Sequence, residues 1–256
     1  MLLAHTGAAV VRDQAWFGAR LLVLTALSVG LGIWAGTGLR LLPLWSILRA
    51  VIQLGVVALV LKGVLAVPWT AAAFVALMVT TASLTSMGRT QELFHGRRAA
   101  VLGVVAGAAT SLLVIFALGL VHLQARYFVA IGGIVVGNAM TAATLAGRNF
   151  LRSARAHASE VEAWFSLGAS PEHAHRDIGR EAVRESLIPN LDQTKSTGLV
   201  TLPGAFVGAL FGGASPVDAA KFQLVVLAGV ALAMVVTAMV VTTIAGRSPY
   251  VVSARA

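Results

Sequence analysis

The chain has 256 residues, 58% hydrophobic and only 11% charged, less than half the roughly 25% charge of an average soluble domain. That composition excludes a water-soluble monomer and places the chain among integral membrane proteins. The 19 Lys and Arg against 10 Asp and Glu read as cytoplasmic-loop charge and not as a nucleic-acid footprint, and the lack of cysteine excludes disulfides, thiolate metal sites and a cysteine nucleophile.

Charged residues punctuate the apolar stretches, because an ionised group near the bilayer centre costs about 2.5–3.5 kcal/mol on insertion scales. Residues 1–20 have no basic start and are broken by Arg12 and Asp13, so they are expected as a short helix at the outer interface, not a secretory signal. Spans are then expected over residues 21–39, 41–61, 63–88, 99–125, 127–147, 196–217 and 222–246. These make an all-α polytopic bundle of about seven transmembrane helices forming a single transmembrane domain, 1–256. Thirteen Lys and Arg fall on the side holding residues 148–195 and five on the other. The positive-inside rule therefore puts the N-terminus outside and the C-terminus in the cytoplasm.

Polar residues within the spans come next. Arg49 and Gln53 are four apart in the second span and share a helix face that must avoid lipid, which makes them candidates for a translocation pathway. Asn138 and Met140 in the fifth offer oxygen and thioether donors to a cation, or interhelical hydrogen bonds. Ser83, Thr85 and Ser86 read as packing. In the sixth, Pro203 and Gly204 predict a kink or break, and Gly204, Gly208 and Gly212 make a smooth face for another helix. The pairs Gly32/Gly36, Gly103/Gly107 and Gly133/Gly137 have the same character.

Residues 148–195 are expected as a folded cytoplasmic loop. Arg176, Arg180 and Arg184 alternate there with Asp177, Glu181 and Glu185 at helical ion-pair spacing, and His173 and His175 read as solvated surface. Asp192 and Lys195, three apart, form a candidate ion pair coupling this loop to the kink. No carboxylate pair, nucleophile–base set or metal cluster is legible in the spans, so the expectation is a transport protein and not an enzyme, with any metal site unknown.

Glu162-Ala163-Trp164-Phe165-Ser166-Leu167-Gly168-Ala169-Ser170 resembles the Glu-Ala-Ala, three residues, Gly signature of importer-type ATP-binding-cassette permeases. Pro189 follows Gly168 by 21 positions, farther than in those permeases. The chain as a whole resembles the FetB family, which includes bacterial iron-export permeases and plant half-transporters linked to aluminium tolerance. Four blocks carry the likeness: Arg49-Ala50-Val51-Ile52-Gln53-Leu54, Gly137-Asn138-Ala139-Met140, Ser166-Leu167-Gly168-Ala169, and Ile188-Pro189 through Asp192, Lys195 and Gly198 to Leu202-Pro203-Gly204.

That resemblance implies a homodimeric permease in the bacterial inner membrane, coupled through Glu162, Ala163, Leu167, Gly168 and Ala169 to a separate ATPase subunit. ATP and Mg would belong to that partner; this chain carries neither a phosphate-binding loop nor a Leu-Ser-Gly-Gly-Gln stretch and is expected to bind no cofactor. Iron or another metal ion is the implied cargo, with a nucleotide sugar as the alternative suggested by the plant members. The competing class is an ATP-independent transporter or channel using Arg49, Gln53 and Asn138; a membrane scaffold that transports nothing is a third.

Overall fold

The computed structural model describes residues 2–250, which are helical apart from turns and one isolated bridge between Thr197 and Thr201. The helices are α1 (Leu2–Trp34), α2 (Leu42–Ala66), α3 (Pro68–Arg89), α4 (Gly96–Ala117), α5 (Ala125–Ala156), α6 (Ala158–Ser166), α7 (Pro171–Ala174), α8 (Arg176–Ser196), α9 (Gly204–Phe211) and α10 (Pro216–Ala245). Among the described residues six, α1 to α5 and α10, are long and apolar enough to cross a membrane.

Three differences from the sequence expectation have local causes. The stretch 196–217 is not one helix: Gly198 sits at φ 90°, Pro203 starts α9 from extended backbone at ψ 147°, and Gly213 at φ 90° ends it, leaving only eight helical residues. Residues 12–20 continue into α1 without a break and form no separate interfacial helix, since neither Arg12 nor Asp13 prevents helix propagation. Finally, α5 runs nine residues past the uncharged stretch, to Ala156, because Arg148 to Ala156 contains no glycine or proline to stop it.

The chain divides into two compact units, Met1–Gly63 and Val64–Ala256. In the first, α1 closes through a glycine turn in which Gly36 and Gly38 take left-handed backbone. Thr37 there donates its hydroxyl to the Gly32 carbonyl at 2.9 Å. The described side chains of α1 and of α2 up to Gly63 are almost all exposed within that unit, apolar on every face; such helices need lipid or another protein surface to cover them.

The second unit has a core of α3, α4, α5 and α10, with α8 laid along α5 and α10, and α9 against α10. Small residues set its spacing. A Cβ on Gly103 would stand 2.8 Å from Val241 Cγ2, and one on Gly107 would stand 2.5 Å from the Ala233 carbonyl oxygen and collide with the Thr237 hydroxyl. Two hydrogen bonds stitch the same seam: Ser111 Oγ donates to the Gly229 carbonyl at 2.7 Å, and Thr237 Oγ1 to the Gly103 carbonyl at 3.0 Å. On the opposite side Val75 fills the notch of Gly132, and Met78 that of Gly133. Ser86 donates to the Met140 carbonyl at 3.4 Å, so Ser86 packs as expected.

Gly107→Ala should therefore force α4 from α10 and lower stability in detergent by about 1–3 kcal/mol. Gly137→Ala, whose Cβ would enter open space, should leave stability unchanged or slightly raised. An SDS-titration midpoint for each variant checks both.

Candidate functional site

Between α5 and α10 the chain builds a polar element from short helices. Helix α6 is anchored by Val161, which is buried. It ends at Leu167 and Gly168, the latter at φ 82°. There the Gly168 amide donates to Phe165 O at 2.9 Å and the Ala169 amide to Trp164 O at 3.0 Å, the paired bonds of a Schellman turn that a glycine adopts without strain. Ser170 then caps the next turn, its hydroxyl accepting from the His173 amide at 3.3 Å, and Pro171 supplies the first helical position.

His175 is the joint between α7 and α8 and is 1% exposed, which corrects its reading as solvated surface; His173 is exposed as expected. The imidazole stacks on Phe150 of α5 at 5.8 Å and meets Phe165 of α6 edge-on at 5.9 Å. The ring Nδ1 lies 2.9 Å from the Pro171 carbonyl oxygen. Because a carbonyl only accepts, that nitrogen donates, and Nε2 is buried without a partner. The two-residue spacing from His173 is what misled the sequence reading, since a helix boundary falls between them and helical periodicity does not apply.

Ion pairs fasten the rest. Glu172 pairs with Arg247, just beyond α10, at 3.4 Å. Arg155, on the protruding end of α5, pairs with Glu92 of the α3–α4 turn at 2.7 Å. Within α8, Asp177 pairs with Arg180 at 3.2 Å and Asp192 with Lys195 at 3.0 Å. Glu181 accepts instead from Ser153 Oγ of α5 at 3.2 Å. Beneath these contacts lies a cleft of about 220 Å³ lined by Ser153, His157, Trp164, His173, Asp177 and Glu181.

The residues of the importer-like signature sit on the outer side of this element. Glu162, Ala163 and Gly168 are exposed, Leu167 is 80% exposed at the very end of α6, and Ala169 is half-buried in the turn. Arg49 and Gln53 are exposed one turn apart on α2, within the first unit. Asn138 is half-buried, and its amide donates to Ile134 O of its own helix at 2.8 Å. Met140 is half-buried, and its carbonyl also accepts from Thr144 at 3.0 Å. Gly204 and Gly208 face open space and are not packed by another helix of this unit; Gly208 and Gly212 border a cavity of about 590 Å³ with Arg126, Tyr127, Asp218 and Lys221. Among the described residues no three His, Asp or Glu side chains converge as metal ligands.

A bundle of apolar helices with one polar, pinned hairpin defines a multi-pass integral membrane protein. The family model described as an uncharacterised protein family, UPF0014, matches residues 18–250, and the chain belongs to that family. It is 31% identical over 207 residues to the UPF0014 membrane protein STAR2 of Oryza sativa subsp. japonica, covering 80% of this chain and 72% of that one. It is 32% identical over 209 residues to the protein ALUMINUM SENSITIVE 3 of Arabidopsis thaliana, covering 80% and 76%. To the Escherichia coli protein named "Probable iron export permease protein FetB" it is 33% identical over 187 residues, covering 72% and 71%. No solved structure matches the chain.

His175→Ala removes the ring between Phe150 and Phe165 and should destabilise the protein by about 2–4 kcal/mol, with faster proteolysis at residues 167–171. His173→Ala, on the surface, should stay within about 0.5 kcal/mol. Thermal midpoints and limited proteolysis of the two variants check this.

Proposed function

We propose that this chain is the membrane-spanning permease of an ATP-binding-cassette transporter, driven by a separate ATPase subunit and exporting iron or another metal ion. The observation that carries the reading is the end of α6. An apolar side chain, Leu167, is held out at the tip of a short helix by a glycine turn, and the element behind it is packed on α5 through Phe150–His175, with Glu172 paired to Arg247 just past the end of α10. Such a projection suits insertion into a groove on a partner, while the rigid backing suits passing a push into the bundle. The name of the Escherichia coli relative supports both the permease role and the cargo.

In this reading two copies of the chain carry two ATPase subunits, which hold ATP and Mg. ATP binding draws those subunits together, and Glu162, Ala163, Leu167, Gly168 and Ala169 receive the displacement. Export of a metal ion rather than a nucleotide sugar is favoured by the relative's name alone, since among the described residues no clustered ligand set selects between them.

The test is ATP hydrolysis by the complex with its cognate ATPase in lipid nanodiscs. Leu167→Asp and Gly168→Pro should abolish binding or stimulation. Proline cannot take φ 82°, whereas an aspartate puts a charge where an apolar contact is needed. Glu160→Ala on the same helix should leave the rate unchanged. Failure of any ATPase to bind the intact chain overturns the coupling role, and ion flux through the chain reconstituted alone would establish the channel class in its place.

A further inference from the structure

The α3–α5 contact ends in a cavity whose charge the fold does not balance. It begins at a tight joint: a Cβ on Gly147 would stand 2.9 Å from Leu93 Cδ1 and 3.0 Å from Thr90 Cγ2, so α5 lies directly against the turn that follows α3. Thr90 is buried, its hydroxyl oxygen 3.0 Å from the carbonyl oxygens of both Ser86 and Gly96, which fixes that turn. Beside the joint is a cavity of about 600 Å³. Gly88 borders it, and a Cβ there would meet nothing within 4 Å.

Four of the lining residues are arginines, Arg89, Arg148, Arg152 and Arg155, and Glu92 is the one carboxylate among them. Arg148, Leu151, Arg152 and Arg155 stand at i, i+3, i+4 and i+7 of α5, one helix face turned to the cavity. Arg155 donates from Nη2 to Glu92 at 2.7 Å, and its Nε is buried with no partner. Arg152 donates to the neutral Asn149 at 3.1 Å. Among the described residues Arg89, Arg148 and Arg152 form no ion pair. The positive-inside rule asks for arginines at one end of the bundle, and helix dipoles favour Arg89 and Arg155 in the last turns of α3 and α5. Neither effect asks Arg148 and Arg152, inside α5, to share a cavity with two further guanidinium groups.

The level of the cavity selects the anion that would balance it. The uncharged stretch of α5 from Tyr127 to Gly147 is 21 residues, about 30 Å along the axis, which matches the hydrocarbon thickness. Gly147 is its last residue, and Arg89, next to the Thr90 that meets Gly147, closes α3 at the same level. The arginines therefore stand where hydrocarbon gives way to lipid headgroups. We propose that this cavity binds a phosphate group, carried by an anionic phospholipid of the adjoining leaflet. A guanidinium offers parallel N–H donors that match two phosphate oxygens, and basic pockets between membrane helices recur as headgroup sites. Buried Leu93 and half-buried Leu151 give the glycerol end of the lipid an apolar wall. The site needs neither an ATPase nor a cargo, so it stands apart from the permease reading.

The test is lipid retention by the full chain, delipidated in detergent and read by native mass spectrometry. Phosphatidylglycerol is titrated against phosphatidylcholine with the same acyl chains, with inorganic phosphate at millimolar concentration as competitor. Phosphatidylglycerol should be retained in preference, and inorganic phosphate should not displace it. Arg148→Gln combined with Arg152→Gln should weaken retention by about tenfold. Arg97→Gln combined with Arg98→Gln, exposed in the first turn of α4 and outside the cavity, removes the same charge and should stay within about twofold. Gly88→Trp keeps every charge but fills the open space, and should weaken retention as the first pair does.

Equal retention of the two lipids, or equal weakening by both arginine pairs, would reduce the effect to overall charge and overturn the site. Displacement by inorganic phosphate would overturn the lipid as the source and assign the cavity to a soluble phosphate. Unchanged retention in Gly88→Trp would put the lipid elsewhere on the bundle. If the Arg148 and Arg152 variant lost ATPase binding while keeping its lipid, the arginines would belong to a protein interface and the proposal would fall.

Discussion

The seam between α4 and α10 is the constraint on which the second unit depends. In lipid there is no hydrophobic force to press two helices together, so association rests on close backbone approach and on polar groups that find partners across the gap. Gly103 and Gly107 permit the approach, and Ser111 and Thr237 each spend a hydroxyl on a carbonyl of the facing helix. Everything bearing the candidate site leans on the helix so placed. The first turns of α8 pack at Thr242, α9 hangs from Gln223, and Glu172 reaches Arg247 just past the end of α10.

With α10 fixed, the broken region between α8 and α10 becomes intelligible as backbone accounting. Non-helical chain is tolerated beside an apolar bundle only where its polar groups are satisfied by protein or water. The turn after α8 satisfies several internally: Gly198 N to Thr201 O at 2.8 Å, Val200 N to Ser196 O at 3.0 Å, and the Thr197 hydroxyl to Gln193 O at 3.0 Å. Gln223, a buried amide on an otherwise apolar stretch, supplies the acceptor that the first turn of α9 lacks.

Much of this was legible from residue patterns alone. Six of the expected spans coincide with long apolar helices because charge is costly in hydrocarbon and Arg or Lys marks the ends. The Asp192–Lys195 pair and the break at Pro203-Gly204 were legible too, since a three-residue spacing and proline chemistry are local. What was not legible depends on tertiary packing. His175 looks like its exposed neighbour until Phe150, far away in sequence, closes over it. Gln223 reads as a stray polar residue until α9 arrives beside it.

The same contacts place a hinge. From Ile178 to Ser186, α8 is pinned against α5 and α10 by a buried row; beyond it comes Pro189, which has no amide to return to the Glu185 carbonyl and so removes one rung of the helix. After that rung the outer face carries Asp192, Gln193 and Lys195, all exposed. In the proposed transporter a displacement received at Gly168 would enter α8 through His175, where two aromatic rings and a carbonyl leave the imidazole little freedom. The pinned half would resist it, and the relief would fall where the hydrogen-bond ladder is already interrupted. In the proposed transporter the moving part would then be the segment after Pro189, which carries the Asp192–Lys195 pair and leads to the turn at Gly198.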